Sequence, residues 1–124
     1  ESTMATISKQ ILSGSTQGTG IKLTDSASSV NTDPGYLIHT AVSGTDDIDE
    51  IWIWACNTNT STVVLTVEFG GTDVDDNIKV AINPNETVLV VPGLPLQNGL
   101  LVKGFASVVD KVNVFGYANR IDLQ

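Results

Sequence analysis

From Tyr36 onward the chain is written in short apolar runs, each closed by a turn rich in Gly, Pro, Asn or Asp, and no stretch of helical length repeats its apolar residues every three to four positions. That punctuation excludes a helical bundle. The clearest run is residues 63–69, where Val63, Leu65, Val67 and Phe69 alternate with Val64, Thr66 and Glu68. Side chains of an extended strand point to alternate sides, so four large apolar groups share one face. After the break Gly70-Gly71-Thr72-Asp73, Ile78, Val80 and Ile82 alternate with Lys79 and Ala81 at hairpin spacing. These seven apolar residues are expected to face a core. Composition agrees, with 15 Val, 10 Ile and 14 Thr against 7 Ala in 124 residues. Branched side chains suit a pleated surface and lose rotamer freedom in a helix.

The other runs complete the pattern. Residues 36–41 form a strand ending at the turn Ser43-Gly44-Thr45-Asp46, and residues 50–56 are apolar on both parities. A strand of that kind is covered on both faces, by another layer, a loop or a neighbouring subunit. Asn57–Ser61 and Asn83-Pro84-Asn85-Glu86 are turns, and the latter leads into a strand at 87–91. Pro92-Gly93-Leu94-Pro95 is predicted to end that strand, because proline has no N–H to give to a ladder. Residues 99–107 and 112–120 flank a turn at Asp110-Lys111. About eight strands with short turns predict an all-β fold, an antiparallel β-sandwich of jelly-roll-like form. Residues 1–3 precede Met4 and are set aside as an expected expression remnant. Residues 4–33 are rich in Gly, Ser and Thr, with weak strands at 6–12 and 21–24, and are expected to form an extended N-terminal arm. Residues 34–124 are expected to be the sandwich body.

A net charge of −8 makes contact with phosphate backbones or anionic lipid repulsive, so neither nucleic acid nor membrane is an expected partner. The longest apolar runs are too short to span a bilayer, and no charged-then-apolar segment opens the chain; the expectation is assembly in a cytoplasm. The single cysteine, Cys56, has no internal disulfide partner.

Chemistry is sparse. Seven of the fourteen acids fall in Asp46-Asp47-Ile48-Asp49-Glu50 and Asp73-Val74-Asp75-Asp76. A calcium loop on the second cluster would need Gly at Ile78 and Glu at Pro84, so both clusters are expected to be solvated acidic turns. His39 and Cys56 lie within predicted strands, where a lone His is usually packed and a lone Cys inert; a dyad would require those strands to pair. The glycines of residues 14–20 have no helix behind them to complete a phosphate site. Asn59-Thr60-Ser61 and Asn85-Glu86-Thr87 match the glycosylation pattern but read as turns. No nucleophile motif, phosphate loop or paired Cys/His spacing is present, so the expectation is a protein that is not an enzyme, with no cofactor and no metal. What remains is apolar surface. Trp52, Trp54, Leu94 and Leu96, together with Ile7, Ile11, Leu12 and Ile21 of the arm, are the candidate contacts with a partner, against a default of core packing.

Residues 11–16 (Ile-Leu-Ser-Gly-Ser-Thr), Ile38–Thr45 with Asp49-Glu50-Ile51-Trp52, Leu65–Thr72, Val90–Leu94 with Leu96–Leu100, and Phe115-Gly116-Tyr117 with Asn119-Arg120-Ile121 together resemble small structural proteins of tailed bacteriophages. The likeness covers most of the chain. Within that group, size, acidity and all-β character look most like a capsid decoration, or cement, protein. The resemblance implies a homotrimer on the outer head surface of the virion that clamps neighbouring major capsid subunits. A tail, baseplate or head-to-tail joining component is the second expectation, and a carbohydrate-binding module the third.

Overall fold

The computed structural model describes residues 5–25 and 35–123. Among them are nine strands, β1 (Thr6–Ile11), β2 (Ile21–Lys22), β3 (Tyr36–Thr40), β4 (Asp47–Asn57), β5 (Val63–Phe69), β6 (Asn77–Ile82), β7 (Thr87–Leu96), β8 (Leu101–Ala106) and β9 (Val112–Asp122), and one turn of 3-10 helix at Val74–Asp76. They form two sheets in which every pairing is antiparallel. Sheet A runs β1-β9-β4-β7, with β2 also on β9; sheet B runs β3-β8-β5-β6.

One hydrophobic core joins the sheets. Ile51, Ile53, Ala55, Val91, Val112 and Val114 come from sheet A, and Val63, Leu65, Val67, Ile82 and Val102 from sheet B. Phe69, Ile78 and Val80 pack against it partly buried, so all seven alternating residues of β5 and β6 contribute. Each fully buried Val, Leu or Ile stabilises by about 1.5–3 kcal/mol relative to an exposed one. β4 shows how the doubly apolar run is used. Its odd residues, from Asp49 to Asn57, are all buried, whereas Glu50, Trp52, Trp54 and Cys56 are only half-buried on the outer face of sheet A. At Gly116 of β9, a Cβ would overlap the Trp52 carbonyl, so only glycine lets these two strands approach.

Three expectations change. β7 does not end at Pro92 but continues through Pro92 and Pro95 to Leu96. It is an edge strand, where a missing N–H can face outward, and register shifts at Ile51/Trp52 and Ile53/Trp54 absorb the irregularity. The first acidic cluster is not a solvated turn, because Asp47, Asp49 and Glu50 belong to β4 and Asp49 is fully buried. The described part of the expected arm is also not set apart from the body. β1 pairs with β9 through six residues, β2 pairs with the same edge at Val114 and Asn113, and Leu12, Ile21 and Leu23 sit in the core. The rest of that segment, Met4 and residues 26–33, lies outside the described residues.

Candidate interaction surface

Because odd residues of β9 and even residues of β4 point away from the core, the register places Trp52 opposite Tyr117 and Trp54 opposite Phe115 on the outer face of sheet A. The three rings of Trp52, Trp54 and Tyr117 form a mutually stacked triangle. Their centroids lie 6.3 Å (Trp52–Trp54), 6.5 Å (Trp52–Tyr117) and 6.2 Å (Trp54–Tyr117) apart, with planes within 29° of one another. Such pairs contribute about 0.5–1.5 kcal/mol beyond their burial. Neighbouring groups fix them. The Nε1–H of Trp52 donates to Glu50 Oε1 at 2.9 Å, Asn119 Nδ2 donates to the same oxygen at 3.0 Å, and these two hydrogen bonds hold the Glu50 carboxyl below its ordinary range. The Lys9 ammonium stands 4.4 Å from the Tyr117 ring centroid. Gly93, at a φ of +73°, leaves the space that the Trp52 ring occupies, and a side chain there would collide with it.

Beyond these polar neighbours, apolar groups extend the face. Ile7 (68% exposed) and Ile11 (56%) extend it from β1, Leu89 and Phe115 are exposed beside Trp54, and a hollow of about 300 Å³ lined by Ile48, Pro95, Leu96 and Gln97 continues it. Of the candidate contacts, Trp52, Trp54, Ile7 and Ile11 therefore meet on one surface. Leu94 and Leu96 are partly buried against the core. Leu12 and Ile21 are corrected outright, being core residues at 1% and 4% exposure, because the chain turns inward after β1 and again at β2. Phe115, Tyr117 and Leu89 were missed. The alternation of Phe115 and Tyr117 with Val112 and Val114 carried the signal, but only pairing with β4 reveals which parity faces out.

The polar cluster at one end of the core is structural. Asp49 accepts Arg120 Nε at 2.8 Å on Oδ1, Arg120 Nη2 at 3.0 Å on Oδ2, and the Val42 N–H at 3.0 Å. His39 Nδ1 accepts the Ser13 backbone N–H at 3.0 Å, so Nε2 carries the ring proton and donates it to Asp49 Oδ2 at 2.8 Å. Burial would raise the Asp49 carboxyl, but the hydrogen bonds from Arg120 and His39 and the Arg120 charge outweigh it and hold it low. Ser, His and Asp are thus adjacent without forming a nucleophile relay. The Ser13 hydroxyl accepts the Thr40 N–H at 2.6 Å, and it is the serine's backbone that meets the imidazole. Nor do His39 and Cys56 meet, since Cys56 lies on the opposite face of β4, seven residues or roughly 23 Å along the strand from Asp49. No group of three or more His, Cys, Asp or Glu side chains among the described residues is placed to hold a metal. No known protein family, curated protein or solved structure matches the chain.

Proposed function

We propose that this chain is a non-enzymatic structural protein of a tailed-phage virion, of the capsid decoration type, that attaches to the major capsid protein and to other copies of itself in a homotrimer. The observation that carries the reading is the outer face of sheet A. Four of the seven aromatic residues and several exposed aliphatic ones are gathered there on a rigid sheet. Aromatic anchors ringed by polar groups are the composition of a protein contact, and an apolar face of this kind on a free monomer is a liability. The location proposed with it is the outer head surface, after assembly in the host cytoplasm.

We also read the fold as a jelly roll. The chain changes sheets at each step from β3 onward except between β5 and β6, and the orders β1-β9-β4-β7 and β3-β8-β5-β6 are those of two interleaved Greek keys. Viral capsid and lectin domains both use that architecture, so it supports the reading by analogy alone. A second reading, glycan binding, is favoured by one observation: three near-parallel rings on an open face are a platform on which sugars stack.

The test is co-sedimentation of the purified protein with expanded phage heads, followed by heat or osmotic challenge. Attachment and protection by the natural chain, lost in Trp54→Ser and in Tyr117→Ser, is the expected result. Binding only to tails or to oligosaccharides would replace the assignment with a tail component or a glycan module. Light scattering that gives a monomer at micromolar concentration would remove the trimer.

A further inference from the structure

The opposite sheet carries a buried carboxyl group without a full set of partners. Glu68 lies on the outer parity of β5, where solvent is expected, yet it is only 1% exposed. Its Oε1 accepts the Gly35 N–H at 2.7 Å, while Oε2 accepts nothing. Asn77, directly opposite on β6, has a buried Oδ1 that is also without a donor. Lys103 is opposite on β8, but the ion pairs among the described residues are His39–Asp49 and Arg120–Asp49, and Lys103 makes none with Glu68. Two neighbouring buried acceptors without donors mark a place where a donor is meant to arrive.

There is room for it. Glu68 lines a cavity of about 250 Å³ between the turn of Gly70, Gly71 and Thr72 and the turn leading into β8, where Leu100 and Leu101 form an apolar wall. That volume is several times the roughly 30 Å³ of a water molecule and is wasteful for a bare ion. A single side-chain carboxyl group also falls well short of the six to eight oxygens that calcium takes. A cationic head on a short aliphatic stem satisfies both halves of the cavity: its N–H groups supply Glu68 Oε2, and its methylenes cover the leucines.

We propose that this cavity is a binding site for an alkylammonium or alkylguanidinium group, filled in the assembled state by a lysine or arginine side chain of the protein to which the chain attaches. The partner as the source rests on the function proposed above; the preference of the cavity does not. A net charge of −8 favours the approach of such a partner.

The experiment is an amide NMR titration of the whole chain with n-butylammonium, n-butylguanidinium, 1-butanol and calcium chloride, following Gly70, Gly71 and Gly99. Saturable shifts with the two cations, in about the millimolar range for so small a ligand, are expected. Glu68→Gln should weaken binding by about tenfold or more, as expected for loss of a charge-assisted hydrogen bond. Lys103→Met should tighten it by removing a competing charge, and Leu100→Trp should block it. Absence of saturable shifts, an equal response to butanol, a response to calcium alone, or an unchanged affinity in Glu68→Gln would each overturn the site. If the site holds but Glu68→Gln attaches to phage heads as well as the natural chain, a free small cation replaces the partner side chain as the ligand. If the natural chain ignores heads while butylguanidinium binds, the proposed function falls and the site stands.

Discussion

The two sheets bury similar faces and show the solvent different ones. Sheet A presents Trp52, Trp54, Phe115 and Tyr117 with Ile7, Ile11 and Leu89, whereas across the middle of sheet B the outer parity mixes one aromatic, Phe105, with Thr66, Glu68, Lys79, Lys103 and Asn77, and Thr66 and Glu68 there are buried. Packing of the core requires only the inner parity to be apolar. The aromatic residues of sheet A are therefore surplus to folding of the described body, which makes its outer face the place to look for recognition. Sheet B, by contrast, keeps one outer carboxyl group, that of Glu68, buried beside a cavity.

The comparison predicts effects of very different size along one strand. Asp49→Ala should be the most damaging, by about 3–5 kcal/mol, because it leaves Arg120, His39 and the Val42 N–H facing an empty space. Ile53→Ala, on the same inner parity, should cost about 2–4 kcal/mol through a core cavity. Trp54→Ser, one residue away on the outer parity, should change unfolding free energy by about 1 kcal/mol while abolishing attachment to heads. Urea unfolding of the three variants checks the order. A loss for Trp54→Ser equal to that for Ile53→Ala would make the outer face part of the fold and erase the contrast between the two sides.

The strands of β5 and β6 were legible because their alternation is strict, and a strict period of two leaves one way to bury a face. β4 was legible as a strand but not in orientation, since both parities are apolar; only the partners in sheet A decide that Ile53 goes in and Trp54 out. The N-terminal segment misled for a different reason. Its glycines and hydroxyl residues describe a loop, yet Leu12, Ile21 and Leu23 are enough to pin that loop into the core, and β1 is held by its ladder to β9 more than by buried side chains. The Asp49 cluster was illegible in principle: Arg120 is 71 residues from Asp49, His39 belongs to the other sheet, and in a sequence a buried carboxyl looks the same as a solvated one.

That account of the N-terminus divides it into two parts. A chain beginning at Leu12 loses no core side chain and should fold with a stability drop of about 1–2 kcal/mol from the missing ladder. A chain beginning at Ile21 also loses Leu12 and the Ser13 N–H on His39, and should fall by about 3–5 kcal/mol. Both lose Ile7 and Ile11 from the outer face and should attach more weakly. Equal stability of the two chains would show that residues 12–20 do not anchor the loop.

Acid separates the two ends of the charge scale. Asp49 has a folded pKa below its ordinary value, so its contribution is present above about pH 4 and is lost as pH falls through the folded value. Thermal melts of the natural chain and of Asp49→Asn should therefore differ widely at pH 7 and converge as pH drops below about 4. A gap that stays constant with pH would mean that the carboxylate charge contributes nothing to the cluster.

The smallest effect is expected where sheet A ends in like charges. Asp47 and Asp122 are directly opposed across β4 and β9, with Asp46 beside them. Partial desolvation, then the negative charge of Asp122 and a hydrogen bond with it, raise the Asp47 carboxyl above its ordinary value. A raised acid binds its proton more tightly in the folded state, so this pair opposes folding at neutral pH and ceases to do so as pH falls through the raised value. Asp122→Asn removes the like charge and retains an amide that can donate to Asp47. Its melting temperature should rise slightly at pH 7, with the advantage shrinking as the solution is acidified towards the ordinary carboxylate range. A lower melting temperature at pH 7 would mean that the carboxylate pair supports this end of the sheet, and the repulsion would have to be outweighed by what Asp122 accepts from its neighbours.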